Sequence, residues 1–216
     1  YVLPYNIENA KKTFVQNKQV IECYQKYYGD YPFPRDGFGM VESPFAGMEH
    51  QGAIAFGNGY GKNKRLINKD WDYIIVHEDA HEWWGNSVTC RDMADMWIQE
   101  GFTTYSELLF LECTEGYTGY LKELTQKMNE IANFWPMVDN YGVNEYSFAS
   151  GDVYYKGAVM LNNLRCTINN DSILFNLIKT FAVENKYKIV SSTHFINLAN
   201  EFTHETYKPF FNKCLF

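Results

Sequence analysis

The pentapeptide His77-Glu78-Asp79-Ala80-His81 constrains this chain more than any other feature. On a helix, positions i and i+4 share a face, so both imidazoles can bind one metal ion. Glu78, next to His77, can then lean over that ion and act on its bound water. With five histidines in the chain, fewer than about 0.01 H-E-x-x-H matches are expected by chance. A catalytic zinc ion takes three protein ligands and leaves one position open. Glu100, in Trp97-Ile98-Gln99-Glu100-Gly101-Phe102, opens the next expected helix and completes a His₂Glu set suited to borderline-soft zinc.

Composition excludes several other classes. At 216 residues and 46% hydrophobic, the chain is long enough for one large domain with its own core. No Ser/Gly linker, repeat or low-complexity stretch divides it. No apolar run approaches the ~18 residues that cross a bilayer, so the chain is not expected to span a membrane. No basic and then apolar leader begins at Tyr1, which says little if the chain is a fragment. A net charge of −7 without a basic face argues against nucleic-acid binding. The five cysteines are scattered and form no C-x-x-C pair, which excludes a thiolate zinc site and leaves buried free thiols as the expectation. The 17 tyrosines suit both cores and wet clefts.

The pattern along the chain is a little β, then mostly helix. Residues 8–28 read as an amphipathic helix with Phe14, Ile21, Tyr24 and Tyr28 on one stripe, ending at Gly29. Residues 38–41 and 52–56 read as short strands, and Gly57-Asn58-Gly59 with Gly61 as a loop. Helices are expected over 70–84, 96–113, 117–134, 152–169, 172–184, 193–203 and 207–215, with Gly85, Gly101, Gly116 and Gly151 punctuating them. The expected fold class is therefore helix-rich α+β with a small N-terminal sheet.

Four ordered blocks carry a family resemblance. His77-Glu78-x-x-His81, eighteen residues and Glu100 resemble the gluzincin aminopeptidases, the family of aminopeptidase N and leukotriene hydrolase. Gly47-Met48-Glu49-His50-Gln51 resembles that family's Gly-x-Met-Glu-Asn, with His50 where Asn is usual. Tyr154-Tyr155-Lys156-Gly157 resembles its Tyr-x-Lys-Gly. The resemblance implies a thermolysin-like catalytic domain over residues 1–216, cut from a larger enzyme whose N- and C-terminal domains are missing. It implies one Zn²⁺ per chain on His77, His81 and Glu100, with Glu78 as general base. It further implies that Glu49 binds the free amino terminus of a peptide substrate, beside the backbone of Gly47 and Met48. Tyr154 would stabilise the oxyanion, with Tyr155 a rival for that role.

Other residues stay open at this level. Glu107, seven positions after Glu100, either holds the second ring nitrogen of a zinc-bound histidine or is an exposed helical acid. Trp83, Trp84 and Trp97 read as core, Asn86 as a structural cap, and His194 and His204 as packing residues. The expected activity is removal of the N-terminal residue from peptides. A zinc endopeptidase and a catalytically silent peptide-binding module are the alternatives. The wording around Glu49 and Asp152–Gly157 is similar to enzymes of Bacteroides-type bacteria, many of them exported. That implies a periplasmic or secreted site, with the cytoplasm as alternative.

Overall fold

A computed structural model describes residues 1–60, 66–67, 70–143 and 151–216; Gly61 of the expected loop lies outside these. The fold is built around one helix, α4 (Trp97–Glu115), in which every residue from Trp97 to Leu111 is buried. A helix covered on all sides needs partners around its whole circumference. They are α2 (Gln16–Tyr28), α3 (Tyr73–Ala80), α5 (Tyr117–Asn129) and α6 (Asp152–Ile168). α1 (Ile7–Phe14) precedes them, and α7 (Asp171–Glu184), α8 (Ser192–Thr203) and α9 (Lys208–Leu215) close the chain. The observed class is helix-rich α+β, as expected.

Two local devices position the working helices. Asp72 caps α3, its Oδ1 accepting from the backbone N–H of Ile74 at 3.0 Å and Ile75 at 3.5 Å. Helices α4 and α6 touch backbone to backbone at Gly101 and Gly157, where a Cβ on Gly157 would come within 2.8 Å of Gly101 Cα. Gly101 therefore lies inside a helix and does not punctuate one. Only a residue without a side chain permits that approach, and it brings the first turn of α6, with Tyr154, down beside α3.

The sheet near the N-terminus is small. β1 (Met40–Glu42) runs parallel to β3 (Ile54–Phe56), and β2 (Gly47–Met48) pairs antiparallel with β3, giving the order β1-β3-β2. β2 is an edge strand. Two further pairs are β4 (Leu66–Ile67) with β5 (Trp71–Asp72), antiparallel, and β6 (Val88–Cys90) with β7 (Lys188–Val190), parallel. Strands this short show no alternation that a sequence reading could detect. β2 and β4–β7 were accordingly not foreseen.

The expected helices differ from the observed ones mainly at their ends. The 8–28 helix is interrupted at Val15. The helix expected over 70–84 gives way to β5 at its start and stops at Ala80. There the chain turns, with the N–H of Asn86 bonded to the carbonyl of His81 at 3.0 Å; Asn86 thus closes that turn. The helix expected to reach residue 134 ends at Asn129. Trp83, Trp84 and Trp97 are core residues, at most 2% exposed.

The expectation of buried free thiols is corrected. Cys23 on α2 and Cys113 on α4 form a disulfide, 90 residues apart in sequence. Of the rest, Cys166 is exposed and Cys90 and Cys214 are half-buried. Sequence spacing did not reveal the pair because neighbouring helices, not neighbouring residues, bring the two sulfurs together. In the denatured, unreduced protein, alkylation should label three cysteines, and reduction should free two more. Removing the bond as Cys23→Ala/Cys113→Ala is expected to cost about 2–5 kcal/mol of unfolding free energy, read as a lower denaturant midpoint. Five labelled cysteines without reduction would contradict the disulfide.

Candidate metal centre

Three donor atoms from two helices converge where α3 meets α4. His77 Nε2 and His81 Nε2 are 3.3 Å apart. Glu100 Oε2 lies 3.6 Å from the first and 3.4 Å from the second. A tetrahedral ion with ~2.1 Å arms holds its ligands about 3.4 Å apart, so these spacings match three corners of such a site. All three residues are buried, and Glu100 Oε2 has no hydrogen-bond partner. Such an atom is costly to bury unless a cation completes it. The donor set fits zinc on this geometry and on its nitrogen–oxygen chemistry.

The far side of each imidazole is held. His77 Nδ1 meets Glu107 Oε1 at 2.7 Å, and His81 Nδ1 lies 2.7 Å from the Trp84 carbonyl and 3.2 Å from Thr103 Oγ1. An Nδ1–H donated to a fixed acceptor leaves the Nε2 lone pair aimed at the common point. Glu107 is fully buried, which decides between its two readings in favour of the histidine partner. The His77 ring also stacks on Tyr73 at 5.4 Å and on Tyr154 at 6.2 Å.

Charges in this pocket are strongly coupled. Burial opposes a proton on either histidine, but the carboxylates facing them win, Glu100 and Glu107 at His77 and Glu100 at His81, and raise both rings. The same pairing, against burial, holds Glu100 well below the usual carboxylate range. Glu107 is also lowered against burial, chiefly by the Lys127 ammonium. Glu78 goes the other way: burial raises it, the two imidazoles pull it back, and Glu49 adds to the rise.

The remaining candidates border this centre. Oxygens of Glu49 and Glu78 and a ring nitrogen of His81 all lie within 4.8 Å of one another. Glu49 is half-buried on the turn that follows β2. Gly47 backs directly onto Glu78, since a methyl group there would overlap Glu78 Oε1 and stand 2.8 Å from Ile74 Cγ2. Met48 is exposed on β2, and His50 is exposed beside it, its N–H bonded to the Met48 carbonyl. Tyr154 faces His77, whereas Tyr155 lies 5.7 Å from the Lys127 ammonium. Sequence reasoning missed Lys127, Glu123, Tyr73 and Thr103. Glu123 and Lys127, four apart on a helix, read from sequence as an ordinary exposed pair.

A helix-rich α+β domain with a buried His₂Glu donor set and an adjoining buried glutamate defines a domain of the zinc-peptidase type. The chain belongs to peptidase family M1, whose domain model matches residues 13–213. Aminopeptidase Ey of Gallus gallus is 31% identical over 124 residues, which cover 52% of this chain and 12% of that protein. Endoplasmic reticulum aminopeptidase 2 of Bos taurus is 24% identical over 185 residues, covering 77% of this chain and 19% of its own length. The chain thus spans under a fifth of these curated relatives. Among solved structures, native leukotriene A4 hydrolase from Saccharomyces cerevisiae superposes with a TM-score of 0.81 at 20% identity, covering 99% of this chain and 36% of that one. The M1 zinc metallopeptidase from Deinococcus radiodurans gives 0.73 at 21% identity, covering 91% and 42%. At these identities the likeness is one of fold. No helix among the described residues is long and apolar enough to cross a membrane.

The contact between Gly47 and Glu78 yields a test. Gly47→Ala must push the Glu78 side chain aside, and overpacking of this kind costs about 1–3 kcal/mol. We expect a lower kcat on any peptide that the full-length protein cleaves, with zinc content unchanged. Full turnover in Gly47→Ala would show that the Glu78 side chain does not need this backing.

Proposed function

We propose that this chain is the thermolysin-like catalytic domain of a zinc-dependent aminopeptidase, taking peptides with a free amino terminus. The observation that carries the reading is the placement of Glu49 and Glu78 together beside the His77–His81–Glu100 donor set. An endopeptidase needs the base, but it has no use for a second carboxylate at the end of the cleft. The matched relatives named as aminopeptidases support the same reading.

One Zn²⁺, when bound, supplies Lewis acidity toward water and the scissile carbonyl. His77, His81 and Glu100 hold it. Glu78 accepts a proton on its carboxylate and returns it to the leaving amine. Tyr154 directs its hydroxyl to the carbonyl oxygen as negative charge grows there. Glu49 pairs with the substrate ammonium and so sets the cut one residue from the end. Gly47 and Met48 lie on an edge strand, the kind of strand to which an extended peptide can add.

We also infer an extracytoplasmic setting, periplasmic or secreted. The Cys23–Cys113 disulfide supports it, because such bonds persist in oxidising compartments.

The deciding experiment compares one peptide with a free and with an acetylated amino terminus. It uses the full-length protein, with Glu78→Gln as the blank. Cleavage of the free peptide alone, one residue at a time, is expected; cleavage of the acetylated peptide would make this an endopeptidase. A second measurement concerns the metal. Because both imidazoles are raised, zinc uptake by chelator-treated protein at pH 7 should release about one to two protons. Calorimetry in buffers of different ionisation heat reads this, and affinity should weaken from pH 8 to pH 6. Uptake without proton release would show that the imidazoles of the metal-free protein are not raised.

A further inference from the structure

Behind His77 lies a cation that the proposed reaction does not use. Lys127, in the last turn of α5, is 3% exposed. Its Nζ stands 2.5 Å from Glu107 Oε2 and 3.1 Å from Glu123 Oε1. It is also 5.6 Å from the centre of the Tyr73 ring and 5.7 Å from that of Tyr155. Two carboxylates and two aromatic rings therefore surround one ammonium. Lysine is almost never buried so fully without such pairing.

The bland explanation is that Lys127 ties α5 to α4. Arg165 does that kind of work elsewhere: it grips Glu112 of α4 and Asp171 of α7, and neither carboxylate contacts a histidine. Lys127 differs in its partner. The oxygen it holds belongs to the carboxylate whose other oxygen lies 2.7 Å from His77 Nδ1. A carboxylate with one oxygen free can rotate about its last bond; with that oxygen pinned, the second is presented in one direction.

We propose that Lys127 is a positioning residue of the metal centre, fixing the Glu107 carboxylate so that His77 presents Nε2 toward His81 and Glu100. The proposal rests on the metal-centre reading above. It adds to the His₂Glu set a relay from α5 through α4 to α3, from Lys127 through Glu107 to His77.

Zinc affinity, measured by competition with a chromophoric chelator on the full-length protein, tests it. Circular dichroism reports folding in parallel. Lys127→Met is expected to weaken zinc binding about 10- to 100-fold, the usual loss when a partner behind a ligand is removed. Lys127→Arg, which keeps the charge, should recover most of it. Glu107→Gln should weaken binding to a similar degree, and Glu107→Gln/Lys127→Met no further, because the effect passes through that carboxylate. Folded Lys127→Met that binds zinc as wild type does, or a double variant in which the two losses multiply, overturns the proposal. Should Lys127→Met fail to fold, a loss in the double variant beyond that of Glu107→Gln still overturns the proposal, and Lys127→Arg that binds zinc less tightly than wild type supports it. Wild-type protein that takes up no zinc overturns the metal centre and the role of Lys127 with it. Wild-type uptake with an unaffected variant overturns Lys127 alone.

Discussion

Glu100 and Glu107 sit on the buried stretch of α4, and the site follows from the need to compensate them. Burying a carboxylate without a partner is among the most costly things a fold can do. Glu100 faces the imidazoles of His77 and His81, with which it would share a metal cation, and Glu107 is answered by His77 and Lys127. The answers come from α3 and α5. The charges that would destabilise α4 therefore specify how α3 and α5 must lie against it.

The same economy explains why the polar site tolerates a dry core around it. Trp84 stacks on Phe102 at 4.4 Å, and Phe102 meets Phe181 and Phe195 at 6.0 and 5.1 Å. This aromatic layer holds α4 rigid next to the donor atoms. The Trp84 carbonyl meanwhile fixes His81, so one residue serves the core with its ring and the site with its backbone. At the other end, the Gly101–Gly157 contact lets α6 approach closely enough for Tyr154 to stack on His77. Packing and chemistry are coupled here by distances of a few ångströms, and rigid close packing preserves them.

Electrostatically the cleft has two sides. Around His77, His81 and Glu100 three donor atoms converge within 3.6 Å of one another. Around Glu78 and Glu49 two carboxylates face each other; burial raises Glu78, and Glu49 adds to the rise. A cation arriving near that second side, such as a peptide ammonium, meets an excess of negative charge with few competing donors. The fold thus places the His77–His81–Glu100 donor set beside a second pair of carboxylates, Glu49 and Glu78, with His81 common to both groups.

Much of this was legible in the residues. The i, i+4 histidines, the glutamate between them and Glu100 at its spacing were readable because a helix imposes a period that sequence displays. The long helices, the core tryptophans and the first strands were readable for the same reason, their patterns being local. What was not legible depends on long-range placement. The Cys23–Cys113 bond joins residues 90 apart, β6 pairs with a strand a hundred residues later, and Lys127 looks from sequence like a solvated partner of Glu123. The chain's periodicity and residue chemistry determined which groups could act together. Only the packing of α2, α3, α5 and α6 around α4 decided which were buried, since burial depends on what every other element covers and no local pattern records it.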